Sequence, residues 1–172
     1  MKRMLVVLIA TALVSFGAVS QAAADDVAVI VHKSNPVDGL TLGELRKIVM
    51  GTQAKWPDER KIAVLMTTPG QPERDATLKV VCGMSETNFN LHFIHASFND
   101  GLASLHGPKW SPPPATAELP KAVGSGVQVR QSVAGTANAV GFIKASDLDG
   151  SVKVITIDGS RPGEPAYKLK FK

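Results

Sequence analysis

The segment "TTPGQPER", residues 67–74, gathers two hydroxyls, a glycine, an amide and a guanidinium within eight positions. Hydrogen-bond donors and positive charge at that density point to anion binding. Thr67 and Thr68 offer hydroxyls, Gly70 and Gln71 offer backbone N–H groups, and Arg74 supplies a counter-charge. Pro72 suits the first turn of a helix, so a strand-to-helix turn is expected, with the helix dipole favouring an anion. The same letters also read as an ordinary turn, and Pro69 and Pro72 each lack an N–H. A second group, Ser34 and Asn35 in "HKSNP", follows an apolar run and could reach the same cleft from a strand end. Alternatively, Asn35 bonds its own backbone in a turn.

His92 and His95 in "NLHFIH" stand three apart on one helix face, with His106 or Met84 as further donors. Zinc would require another acidic or cysteine ligand in register. Phe89 and Phe93 lie beside the pair, so two half-buried histidines are expected, with no metal and no other cofactor. Cys82 is the only cysteine; it allows no internal disulfide and is expected to pack inside. No Cys-His-Asn set, G-x-S-x-G elbow or P-loop occurs, and the acidic residues are scattered singly. No catalytic residue is assigned, and the chain is not expected to be an enzyme.

The elements that would position these groups follow from periodicity. "VAVIV" (27–31) and "KIAVLMT" (61–67) read as strands. Thr41 and Glu44 form a capping box ahead of an apolar stripe of Leu42, Leu45, Ile48 and Val49, and Gly51 ends that helix. A helix from Pro72 to about Cys82 is closed by Gly83, and Ser85 caps the next one. Residues 99–125 are rich in Gly and Pro and read mostly as loop, with Trp110 either pinning it or offered to a partner. "VQVRQSV" alternates like a strand, yet Ser125 before it is a good helix cap. "NAVGFI" and "VKVITI" read as strands, and "YKLKF" as a possible last one. Early alternation of strands and helices favours an α/β fold with a largely parallel sheet.

Residues 1–24 have the pattern of a cleaved export signal: "MKR", an apolar run, then "QAAA". Residues 25–172 are expected to form one periplasmic domain, with no stable membrane insertion after the signal is removed. Lys2 and Arg3 are two of 19 basic residues against 15 acidic ones, so the remainder is near neutral. Without a Lys/Arg run, no nucleic-acid partner is expected.

The order of pieces then carries a resemblance: "NP" after the first strand, a helix ending "KIVMG", Trp56, the turn at 67–74, "NAVGFI" and "VKVITIDG". It resembles the phosphate-type periplasmic substrate-binding proteins, above all short, single-lobed relatives. The resemblance implies a type II periplasmic-binding-protein fold, mostly one lobe, with a central mixed or parallel sheet flanked by helices. It also implies a helix at "VQVRQSV", a small anion such as phosphate as ligand, and an ABC transporter permease or an envelope sensor as partner. Full-length members wrap the anion between two lobes using Gly-Ser-rich turns at helix N-termini. The first such turn has no counterpart here, and "TTPGQPER" departs from the second. The other function this leaves open is an interaction module that keeps the fold without the ligand.

Overall fold

A computed structural model of the chain describes residues 26–97 and 118–171. Strand β1 (Val27–Val31) is buried along its whole length, as five consecutive β-branched or small apolar residues require of a central strand. Strand β2 (Gly39–Leu40) leads into helix α1 (Leu42–Val49), which opens on the expected capping box. The Thr41 hydroxyl accepts the Glu44 N–H at 3.2 Å, and the Glu44 carboxylate accepts the Thr41 N–H at 2.8 Å. Gly51 follows in the left-handed region at φ 75°, which a glycine adopts without the strain of a Cβ.

Strand β3 (Ala63–Thr67) runs into helix α2 (Pro72–Thr77), whose last turns widen into a π-helix (Leu78–Cys82). Gly83, at φ 71°, closes it. Helix α3 (Glu86–Ser97) follows, with its Asn88 N–H on the Ser85 hydroxyl at 3.3 Å. Strand β4 (Lys121–Val123), helix α4 (Gly126–Ala134) and strand β5 (Ala139–Lys144) form the next unit. Two short strands, β6 (Lys153–Val154) and β7 (Thr156–Ile157), come last.

The main sheet has the order β4-β3-β5-β1-β6, and β2 pairs with β7 in a separate parallel ladder. Strand β3 is parallel to β4 and β5, whereas β1 is antiparallel to both its neighbours. The sheet is therefore mixed rather than largely parallel. One face, with Val29, Met66 and Phe142, packs on Leu45, Ile48, Leu78, Val81 and Phe89 of α1, α2 and α3. The other, with Ala28, Ile30, Leu65 and Ile143, packs on Val129 and Val133 of α4. Gly141 lets α4 approach: a Cβ there would lie 2.8 Å from methyls of both Val129 and Val133.

Trp56 is 2% exposed. Its indole Nε1 donates to the Asn138 carbonyl at 2.9 Å, which ties the loop after α1 to the start of β5. "VQVRQSV" is helical because Ser125 and Gln128 make a reciprocal cap and only Val129 and Val133, one turn apart, are buried. "VKVITI" breaks into two strands around Ile155, whose N–H bonds the Val29 carbonyl at 3.1 Å. "YKLKF" contributes one bridge, Lys170 to Asp26, rather than a strand.

Candidate functional site

The parallel strands β3, β4 and β5 end at one edge of the sheet, the edge where open α/β sheets take ligands. Thr67 ends β3 and is fully buried. The Thr68 hydroxyl donates to the Gly124 carbonyl at 3.3 Å, joining the β3–α2 turn to the β4–α4 turn. Gly70 is exposed at φ 86°. Gln71 is the N-cap of α2 without a side-chain cap bond, and Pro72 begins the helix. The Gln71 carbonyl accepts the N–H groups of Arg74 and Asp75 at 3.0 and 3.1 Å. Among the described residues, the Thr67 hydroxyl and Glu73 Oε2 are buried without a hydrogen-bond partner.

Arg74 belongs to this turn, but its charge is already met. Its Nε and Nη2 donate to the two oxygens of Glu86 at 2.7 and 2.8 Å, a bidentate fork, and Nη1 donates to the Thr67 carbonyl at 3.0 Å. Asn90 Nδ2 adds a third donor to Glu86 at 3.3 Å. The Arg74 hydrogen bonds hold the Glu86 carboxyl below its ordinary range, against a smaller opposing effect of burial. Glu86 lies twelve residues downstream, across Gly83, so no local spacing links it to Arg74; Ser85 before it reads simply as a helix cap. At the α4 N-terminus another internal carboxylate stands close, since a Cβ on Gly126 would meet Asp147 Oδ2 at 2.5 Å.

Ser34 and Asn35 are not brought to this edge. Strand β1 is antiparallel to β5, and Val31 at its end pairs with Val140, beside Val64 near the start of β3. The two groups therefore sit at opposite ends of the sheet, because β1 runs antiparallel to β5, and no cleft shared with the β3–α2 turn forms. The Ser34 hydroxyl bonds His32 Nδ1 at 2.8 Å, and Asn35 Oδ1 accepts the Val37 N–H at 2.9 Å. Asn35 is thus a buried turn residue, and its carbonyl accepts Lys153 Nζ.

His92 is 5% exposed, with Nε2 3.4 Å from the Met50 carbonyl and its ring edge-on to Phe93. The side chain of His95, together with His106 and Trp110, lies outside the described residues. Among the described residues no group of three His, Cys, Asp or Glu side chains is placed to hold a metal. Cys82 is buried, and desolvation pushes its thiol up to about 12.

No family model and no curated protein matches the chain. Solved structures do. A phosphate ABC transporter substrate-binding protein from Clostridium perfringens, solved with bound phosphate, is 27% identical over 80% of this chain and 47% of its own, with a TM-score of 0.56. An ABC-type phosphate transport receptor from Vibrio cholerae is 24% identical over 82% of this chain and 50% of its own, with a TM-score of 0.59. PstS from Borrelia burgdorferi is 13% identical over 86% and 55%, also with a TM-score of 0.59.

The chain is thus similar to the phosphate-type substrate-binding proteins, and it has their α/β solute-binding fold with a central mixed sheet flanked by helices. It spans about half the length of the solved structures it matches. Among the described residues, no helix is long and apolar enough to cross a membrane.

Proposed function

We propose that the chain is a periplasmic solute-binding-like protein that captures a small oxyanion such as phosphate for an ABC transporter, without chemistry. In this reading residues 1–24 are a cleaved export signal and residues 25–172 are the working domain. The site is the β3–α2 turn: Thr67, Thr68, Gly70, Gln71 and Arg74. The observation that carries it is the position of that turn, at the carboxyl edge of parallel β3, β4 and β5 and at the start of a helix. The phosphate bound by the 27%-identical structure adds support for the ligand class.

Thermal-shift and calorimetric titration with phosphate and sulfate test the reading. Saturable stabilisation at millimolar anion or below is expected; no stabilisation by any oxyanion would sink it. A second reading, an interaction module that has kept the fold without the ligand, is favoured by one observation: Arg74 is already neutralised by Glu86. Its partner would be an envelope sensor or a transporter permease. Indifference to oxyanions together with specific co-purification of one envelope protein would favour this second reading.

A further inference from the structure

Arg74 and Glu86 are unequal partners. The Arg74 side chain is 3% exposed, whereas that of Glu86 is 24% exposed. Glu86 also lines a surface groove with Asp75, Lys79, Gly83, Ser85 and Asn88. Anything reaching Arg74 from that groove meets Glu86 first. Behind the carboxylate stand three converging donors: Arg74 Nε, Arg74 Nη2 and Asn90 Nδ2. Two parallel guanidinium bonds plus one amide is the donor set that a planar carboxylate and a tetrahedral oxyanion both accept. The guanidinium is also held from its other side by the Thr67 carbonyl, so Arg74 keeps one fixed contact when Glu86 leaves. Glu86 is the first residue of α3, three residues after Gly83, which lies in the left-handed region.

We propose that Glu86 is the internal occupant of an oxyanion cradle formed by Arg74 and Asn90, and that an incoming oxyanion binds there by displacing it. The inference rests on the oxyanion-capture reading and adds its regulation. Affinity is set by how often the Glu86 side chain vacates the cradle, because a site open for only a fraction of the time binds more weakly by that fraction. Glu86 is then the residue that tunes the site, and Arg74 is its recognition group.

The test is calorimetric titration of inorganic phosphate, with sulfate as a second probe, into the wild-type chain and the Glu86→Ala, Glu86→Gln and Arg74→Met/Glu86→Ala variants. Far-UV circular dichroism establishes that each is folded. Glu86→Ala is expected to bind phosphate at least about tenfold more tightly than wild type, with the double variant losing that gain. Should Glu86→Ala fail to fold, Glu86→Gln, which keeps the side-chain shape and removes the charge, is expected to show a smaller gain of the same sign. Wild-type binding equal to that of the folded Glu86 variants would overturn the displacement mechanism and leave oxyanion capture standing. Absence of binding by every folded variant would overturn both.

Discussion

Trp56→Ala should be among the most damaging single changes outside the candidate site. The indole is 2% exposed and packs in the larger core cluster with Leu45, Ile48, Met66 and Phe89. A buried Trp removes on the order of 200 Å² from water, which at about 25 cal/mol per Å² is about 5 kcal/mol, part of which Ala retains. Truncation also removes the 2.9 Å bond from Nε1 to the Asn138 carbonyl, roughly 1 kcal/mol net. A loss of about 3–5 kcal/mol is therefore expected. At about 2–4 °C per kcal/mol for a domain of this size, Tm should fall by roughly 10 °C. Trp56→Phe separates the two contributions: it keeps most of the apolar packing and should cost only about 1–2 kcal/mol. Urea denaturation followed by circular dichroism reads both values. If Trp56→Ala melted like wild type, the loop would not be held by its Trp, and the reasoning from burial to stability would be refuted.

Gly141→Ala should destabilise by about 1–3 kcal/mol, because its Cβ would press on stiff Val methyls at 2.8 Å from α4; chemical denaturation measures it. Glu86 has a depressed folded-state pKa, so its contribution is fully present above the unfolded value, near pH 4.3, and is lost as pH falls through the folded value below that. The urea midpoint should accordingly drop on acidification, and Glu86→Gln should flatten that part of the profile. Glu86→Ala should cost about 2–3 kcal/mol, less than a fully buried pair because Glu86 is 24% exposed. Native Cys82, pushed up to about 12 by burial, should resist a thiol reagent at pH 8 and react once urea unfolds the chain; prompt labelling of the native protein would contradict its burial.

What was legible in the sequence is mostly local chemistry. The Thr41–Glu44 box, Gly51 and Gly83 in left-handed conformations, Pro72 at the start of α2 and the buried run of β1 all depend on neighbours within a turn or two. "VQVRQSV" was ambiguous for a physical reason: Val127, Val129 and Val133 satisfy a period of two at one end and of four at the other. The Ser125–Gln128 cap and the packing of Val129 and Val133 on β1, β3 and β5 decide for the helix, leaving Val127 42% exposed.

Long-range pairing was beyond reach. Nothing in residues 27–35 reveals that β1 runs antiparallel to β5, and that single sign moves Ser34 and Asn35 to the far edge. The Arg74–Glu86 pair likewise depends on how α3 folds back after Gly83. The turn at 67–74 could be named from its residue types, but its charge balance could not, because the neutralising group comes from another helix.

A phosphate titration of the wild-type chain followed by amide NMR would show whether the β3–α2 turn holds an oxyanion. Saturable shifts are expected, centred on Thr68, Gly70, Gln71 and Arg74, with Glu86 moving in step and Ser34 and Asn35 unmoved. No saturable shift at millimolar phosphate, or shifts confined to residues away from the β3–α2 turn, would contradict it.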